Sequence, residues 1–390
     1  MIDYNAVLCD RIKDIPPSGI RKFFDIAAEM DDVISLGIGE PDFQTPWHIR
    51  DAGIYSLVKG FTKYTPNAGL TDLRKSISRY MERRFDLHYD PLKQILVTVG
   101  GSEGLDLALR CLINQGDEVI IPTPSFVCYA PLASMQYGKA VLVETKAENE
   151  FRLTAEELKA AITPKTKALL LPFPNNPTGG IMEKSDLEAI AQVLEGTDII
   201  VISDEIYAEL TYGQKHISPA NLPQLYDRTI VINGFSKAYS MTGWRLGYLA
   251  GPAPLVSQMT KLHQYGIMSA PTTSQYAAIE AMENGDGDIE SMREEYDGRR
   301  RYLLKGFHEL GFECFEPKGA FYMFPCIKST GLTSDEFAEQ LLVQEHVAVI
   351  PGNAFGPGGE GFVRTCYAAS MKDLREALLR MGRFVESLKK

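Results

Sequence analysis

Lys237 lies in Gly234-Phe235-Ser236-Lys237-Ala238-Tyr239-Ser240-Met241-Thr242-Gly243-Trp244-Arg245, directly after the apolar run Thr229-Ile230-Val231-Ile232-Asn233. A lysine just past a buried strand is poorly solvated, which disfavours its charged form and lowers its pKa. The free amine that results condenses with an aldehyde to give a Schiff base. Ser236 beside it and Arg245 further on supply a hydroxyl and a fixed cation suited to one phosphate. An amine next to a phosphate cradle is what an aldehyde-bearing phosphorylated cofactor requires, and pyridoxal phosphate is that cofactor. A Ser-Lys pair also arises on ordinary solvated loops, so the reading depends on what the rest of the chain supplies.

Such a site needs rigid elements to hold it. From about residue 95 to 250, helical patterns alternate with short apolar runs. The runs are Ile95-Leu96-Val97-Thr98-Val99, Glu118-Val119-Ile120-Ile121, Ala140-Val141-Leu142-Val143, Ala168-Leu169-Leu170-Leu171, Ile199-Ile200-Val201-Ile202 and Thr229-Ile230-Val231-Ile232. Most are near-continuous in Val, Ile and Leu, as in strands buried on both faces of a mostly parallel sheet. Thr154-Ala155-Glu156-Glu157 opens one helix with a capping-box pattern, and Ser185-Asp186-Leu187-Glu188 opens another. Alternating strands and helices predict an α/β fold. The C-terminal part reads as a smaller α+β unit: a charged helix over about 289–310, Ala320-Phe321-Tyr322-Met323-Phe324, a helix over 334–345, Val347-Ala348-Val349-Ile350, a strand over 361–367 and a terminal helix. The first ~45 residues, with the turn Gly37-Ile38-Gly39-Glu40-Pro41-Asp42, are expected to pack with this unit.

In open α/β sheets, ligands sit outside the carboxyl ends of the strands, so the residues after each run should be chemically useful. After the first comes Gly100-Gly101-Ser102-Glu103-Gly104, whose backbone N–H groups and hydroxyl can meet an anion at a helix start. A tight strand-to-helix turn would look the same. Phe126, after the second run, can stack on a flat heterocycle or simply join the core. Pro174-Asn175-Asn176-Pro177-Thr178-Gly179 offers an amide for a phenolate-like oxygen, or an Asx-turn. Asp204, in Ser203-Asp204-Glu205-Ile206-Tyr207, can pair with a protonated pyridine nitrogen, with Tyr207 near the ring oxygen; the competing role is a helix N-cap. Lys237 closes the series, and coincidence at five of the six strand ends is a poor explanation.

Composition narrows the remaining classes. At 390 residues the chain is too long for one small core, and two domains are expected. The net charge of -11 argues against a nucleic-acid surface. The six cysteines, Cys9, Cys111, Cys128, Cys314, Cys326 and Cys366, form no C-x-x-C pair and mostly have apolar neighbours. They read as reduced core residues rather than a disulfide frame or a zinc site, and no metal is expected. No apolar run reaches the ~18 residues of a membrane span. The start, Met1-Ile2-Asp3-Tyr4-Asn5, lacks the apolar region of a signal peptide, so a cytoplasmic location is expected.

Taken in order, Gly39-Glu40-Pro41-Asp42-Phe43, Tyr64-Thr65-Pro66-Asn67-Ala68-Gly69, Asn175-Asn176-Pro177-Thr178-Gly179, Ser203-Asp204-Glu205-Ile206-Tyr207, Ser236-Lys237 with Arg245, and Phe362-Val363-Arg364 carry a family resemblance. Over nearly its whole length the chain resembles the class I/II aminotransferases of pyridoxal-phosphate fold type I. Its opening Pro16-Pro17-Ser18-Gly19-Ile20-Arg21-Lys22-Phe23-Phe24 and Gly234-Phe235-Ser236-Lys237 place it nearest the aromatic, broad-specificity and N-acetyl-diaminopimelate branch.

The resemblance implies a large domain over residues 48–280, with a mostly parallel seven-stranded sheet flanked by helices. It implies a small α+β domain from both termini, residues 1–47 and 281–390. It implies that Lys237 binds the cofactor and carries the proton between substrate Cα and the cofactor carbon. Asp204 would hold the pyridine nitrogen, Asn176 and Tyr207 the ring oxygen, Phe126 the ring face, and Gly101, Ser102, Ser236 and Arg245 the phosphate. Tyr64 would reach the phosphate of a neighbouring subunit in a homodimer. Arg364 would clamp the substrate α-carboxylate, assisted by the Gly39 N–H. Arg364 also stands in a strand-like run where an inward guanidinium needs an anion, a structural salt bridge being the alternative.

The implied activity is ping-pong transfer of an amino group from an L-amino acid, aromatic or broad in type, to a 2-oxo acid, with 2-oxoglutarate favoured. Alternatives are N-acetyl-LL-diaminopimelate transamination and a carbon–sulfur lyase on the same scaffold. A cofactor-binding transcription regulator is disfavoured, because no helix-turn-helix segment or basic arm precedes the large domain. Ile20, Phe23, Phe24, Tyr265 and Tyr322 could line an apolar substrate slot or simply pack, and Arg21 could meet a distal carboxylate or cap a helix.

Overall fold

The structure, a computed structural model, describes residues 2–13, 15, 30 and 32–389. Ile20, Arg21, Phe23 and Phe24 therefore lie outside the described residues. In chain order the strands are β1 (Ile34–Ser35), β2 (Ile95–Thr98), β3 (Glu118–Thr123), β4 (Lys139–Glu144), β5 (Thr166–Leu171), β6 (Ile200–Asp204), β7 (Thr229–Gly234), β8 (Gly247–Ala250), β9 (Tyr322–Met323), β10 (Val347–Ala348), β11 (Ile350–Pro351) and β12 (Val363–Cys366).

Seven of them form one sheet in the order β2-β8-β7-β6-β5-β3-β4. Strand β8 runs antiparallel to both neighbours, and the other pairs are parallel. The near-continuous apolar runs have a direct cause. Side chains alternate between the two faces of a strand, and here both faces are covered. Val119, Ile121, Leu170, Ile202 and Ile232 pack with Leu105 and Leu109 of helix Gly100–Leu112 and Met259 of helix Ala253–Gly266. Their neighbours Ile120, Leu169, Leu171 and Val201 pack with Leu187, Ile190 and Leu194 of helix Lys184–Leu194.

Two strands depart from the sequence pattern. Strand β4 is at the sheet edge and half-exposed, so Ala140-Val141-Leu142-Val143 does not belong to a doubly buried strand. Strand β8 carried no signal of its own, because Gly247-Tyr248-Leu249-Ala250 has one glycine, one alanine and a single branched aliphatic residue.

Helix Ala155–Ala161 begins with the expected capping box between Thr154 and Glu157. Helix Lys184–Leu194 starts earlier than Ser185. Glu183 is its N-cap, and Asp186 at the third helical position accepts from the Glu183 N–H at 2.9 Å, so the capping box sits two residues upstream of Ser185.

The C-terminal unit is built on the 24-residue helix Asp286–Glu309, helix Ser334–Glu345 and helix Met371–Ser387. Strands β11, β12 and β9 form an antiparallel sheet, and β1 pairs with β10 in parallel. That last pairing draws the N-terminal segment onto the C-terminal unit, whose aromatic core includes Tyr296, Phe307, Phe321, Phe337 and Phe384. The cysteines are all free, but Cys9 is exposed and only Cys366 is fully buried, so they are less of a core set than their neighbours suggested. Among the described residues, no helix is long and apolar enough to cross a membrane.

Candidate active site

The parallel strands of the large sheet end along one edge, so the segments that follow them converge there. A cavity of about 640 Å³ opens at that edge and is closed on its far side by Tyr322 and Arg364 of the C-terminal unit. Its size is that of a small-molecule site. Of the residues singled out above, Gly39, Gly101, Ser102, Phe126, Asn176, Asp204, Tyr207, Ser236, Lys237, Arg245, Tyr322 and Arg364 line it. Tyr64 and Tyr265 do not: they are 81% and 84% exposed.

Lys237 stands in the turn after β7. Burial lowers its pKa from 10.5 to about 8, with nearby Cys366 and Glu40 opposing the shift and Arg364 and Arg245 adding to it. Its Nζ donates to the Gly39 carbonyl at 2.7 Å, so this residue contributes its carbonyl as well as the N–H considered above. Asp204 ends β6 and is buried. One carboxylate oxygen accepts from the Tyr129 hydroxyl at 2.9 Å and the other from the Ile206 N–H at 3.2 Å. Burial raises its pKa to about 6, against the pull of those two bonds. A turn, not a helix, follows Asp204, which removes the helix N-cap alternative. What remains is a buried carboxylate with room for a cation above it.

The two asparagines divide the alternatives between them. Asn175 makes the local turn, accepting at Oδ1 from the Thr178 N–H at 3.2 Å. Asn176 instead accepts at Oδ1 from Arg364 Nη1 at 2.9 Å, leaving its amide N–H groups for the cavity. Arg364 is 3% exposed, donates through Nη2 to the Gly37 carbonyl and has no partner at Nε. It makes no ion pair with any described carboxylate, so the structural salt-bridge alternative has no partner among the described residues. Its guanidinium lies 4.6 Å from the centre of the Tyr322 ring, and Tyr322 shares a 2.8 Å hydroxyl–hydroxyl bond with Tyr207. Burial pushes the Tyr207 phenol far above its ordinary pKa, so it stays a proton donor.

At the other end, helix Gly100–Leu112 points its N-terminus at the cavity. Gly100 has φ 73°, and a Cβ there would sit 2.8 Å from Arg245 Nη2. Glycine is what lets the arginine close on the helix start, so one cation, free backbone N–H groups and the Ser102 and Ser236 hydroxyls share one anion-sized place. Phe126 stands edge-on to Tyr129, ring centres 5.9 Å apart at 81°, with Phe126 on the cavity wall.

Pyridoxal phosphate fits this donor set on three counts. An amine whose pKa burial has lowered, a cradle that a Cβ at Gly100 would fill, and a buried carboxylate lacking a cation each answer one part of it. The partnerless Nε of Arg364 answers to a further anion, such as a substrate carboxylate. Sequence reasoning passed over Tyr129 and the hydroxyl of Tyr322. Tyr129 starts a helix one turn after Phe126, and only the sheet order, which puts β5 alone between β3 and β6, brings its hydroxyl to Asp204.

Comparison with known proteins gives a consistent picture. Residues 31–381 match the family described as aminotransferase class I and II. The Bacillus subtilis (strain 168) protein YugH is 53% identical over 97% of this chain and 98% of its own length. An aspartate aminotransferase of Pyrococcus abyssi is 48% identical over 98% of this chain and 99% of its own. The crystal structure of an aromatic aminotransferase from Pyrococcus horikoshii superposes with a TM-score of 0.90 at 44% identity, covering 95% of this chain and 99% of that one.

Proposed function

The chain belongs to the class I and II aminotransferases, enzymes that use pyridoxal phosphate, and from that premise we propose that it moves the amino group of an aromatic or other apolar L-amino acid to 2-oxoglutarate. The observation that carries this choice is the wall of the cavity. Ile38, Val127 and Tyr322 line the cavity with Arg364, whose guanidinium lies against the Tyr322 ring, and the cations among the described lining residues are Lys237, Arg245 and Arg364. With Arg245 at the phosphate end and Lys237 at the reacting carbon, Arg364 is left for the α-carboxylate and the apolar wall for the side chain. Initial rates with phenylalanine, tyrosine, methionine, alanine, aspartate and N-acetyl-LL-diaminopimelate against 2-oxoglutarate test it. Phenylalanine and tyrosine are expected to exceed aspartate in kcat/KM by about tenfold or more. Aspartate or N-acetyl-LL-diaminopimelate as the best donor would overturn the choice.

The chemistry divides among the residues as follows. Pyridoxal phosphate supplies an electron sink for the negative charge that develops at substrate Cα. Gly101, Ser102, Ser236 and Arg245 hold its phosphate, Phe126 covers its ring, Asn176 and Tyr207 donate to its ring oxygen, and Asp204 pairs with its ring nitrogen. Arg364 orients the substrate through its carboxylate, so that the Cα proton faces Lys237. The Lys237 amine takes that proton and returns one at the other end of the exchange, a general base and then a general acid. Its pKa of about 8 suits it to both tasks near neutral pH.

The same reading makes the working unit a homodimer, with Tyr64 of each subunit completing the other's phosphate site. Exposed Trp47, Tyr55, Leu57, Val58 and Tyr64, in and beyond helix Trp47–Val58, support it as an apolar face that water would otherwise meet. Sedimentation of the active enzyme checks this, and a fully active monomer would contradict it. We also keep the division into 1–47 with 281–390 and 48–280, which is supported by the β1–β10 pairing.

A further inference from the structure

Residues 36–43 form a strap without helix or strand that passes over the cavity between two anchors. At its start, the Leu36 N–H donates to the Ala348 carbonyl at 2.9 Å, and the Leu36 carbonyl accepts from the Cys366 N–H at 2.7 Å. In its middle, the Gly37 carbonyl accepts from Arg364 and the Gly39 carbonyl accepts from Lys237. At its far end, Arg299 Nη1 lies 2.8 Å from each carboxylate oxygen of Asp42.

Arg299 belongs to helix Asp286–Glu309 and is 6% exposed. Its guanidinium lies 5.1 Å from the centre of the Phe43 ring and 5.5 Å from that of Tyr296, and its Nε donates to Glu295 at 3.2 Å. It does not line the cavity.

We propose that Arg299 is a positioning residue for substrate: by clamping Asp42 it fixes the strap, so that the Gly37 carbonyl holds Arg364, and the Gly39 N–H stands, where the amino and oxo acids need them. This rests on the role given above to Arg364.

Two side-chain ties hold the far half of the strap: the Thr242 hydroxyl donates to Glu40 beside the cavity, and Arg299 holds Asp42 beyond it, where the strap leaves the cavity. Its fit over the cavity is close: a Cβ at Gly39 would fall 2.3 Å from the Tyr322 hydroxyl, so a small displacement moves the strap into or away from that ring. Gly37, whose carbonyl is bonded to the Arg364 guanidinium, and Gly39 both sit within a few residues of the clamp. A half-exposed ion pair contributes little by itself. This one is mostly buried, flanked by two rings and bonded to both carboxylate oxygens, which gives it geometric as well as electrostatic weight. Lysine, a compact point charge, would not hold Asp42 through one nitrogen and Glu295 through another at once.

Because the clamp touches neither cofactor nor substrate, it should alter substrate affinity separately from cofactor affinity. In Arg299→Gln, KM for both the amino donor and the oxo acid is expected to rise about tenfold, with kcat within about threefold of wild type. Cofactor affinity, read by absorbance titration of the cofactor-free protein, should be unchanged. Asp42→Asn, at a partly exposed carboxylate that the fold can spare, should reproduce these effects, and the double variant should be no worse than either single one. An unchanged KM in both single variants would overturn the proposal. So would a loss of cofactor affinity in step with KM, or losses that multiply in the double variant. Arg364→Lys, measured alongside, separates the clamp from its premise. If KM stays at the wild-type value there, the carboxylate role of Arg364 fails and the proposal with it. If KM rises there but not in Arg299→Gln or Asp42→Asn, the clamp alone is wrong.

Discussion

Lys237→Ala is expected to lower kcat for transamination by about 10⁴-fold or more while leaving the fold intact. The size of the effect follows from the residue's double task, holding the cofactor's aldehyde and moving the proton at Cα. The retained fold follows from its surroundings. Lys237 makes one hydrogen bond, to the Gly39 carbonyl, and burial holds its charge at a disadvantage, so alanine removes a strained group from the cofactor-free protein. Steady-state rates together with circular dichroism check both halves. Lys237→Arg should be nearly as inactive, because a guanidinium keeps its proton at any working pH. A variant at this position with wild-type turnover would end the assignment.

Asp204→Asn is expected to lower kcat by about 10²- to 10³-fold, the scale seen when one aligned electrostatic group is removed from a transition state. In the cofactor-free protein, burial leaves Asp204 with a pKa of about 6, so near neutral pH it is mainly ionised and in need of a cation. A protonated ring nitrogen meets that need, and in the variant a neutral amide would leave the charge on that nitrogen unbalanced. The sign of the accompanying stability change is also fixed. The folded-state pKa lies above the ordinary value of 3.8, so in the cofactor-free protein the group favours folding at low pH. That contribution is lost as pH rises through about 6. Thermal melting of cofactor-free wild type against Asp204→Asn between about pH 4 and 7 should show a slope that the variant lacks. Equal slopes, or wild-type kcat in the variant, would contradict the role.

Much of this site is legible in the chain because α/β topology sends successive strand ends to one edge. Continuous apolar runs mark β3, β5, β6 and β7, and the polar residues that follow them are therefore readable as neighbours from the sequence alone. The pairing of Asn176 with Arg364 was not readable, nor was that of Tyr207 with Tyr322. Those contacts join the large sheet to β9 and β12, and their sequence separations of 188 and 115 residues leave no local trace. The same holds for the strap, whose Gly-Glu-Pro-Asp turn was visible while its clamp to Arg299 was not. Strand β8 is silent for a different reason: Tyr248, Leu249 and Ala250 pack into the cores on its two faces, but only Leu249 is of the branched aliphatic type that marks a buried run.

The most direct test of the central claim is chemical and concerns one atom, Lys237 Nζ. Borohydride reduction of the holoenzyme turns the link between cofactor and amine into a stable secondary amine, and peptide mass spectrometry then locates it. The account predicts a single cofactor-bearing peptide with the modification on Lys237. Modification of any other lysine, with Lys237 unlabelled, would contradict it.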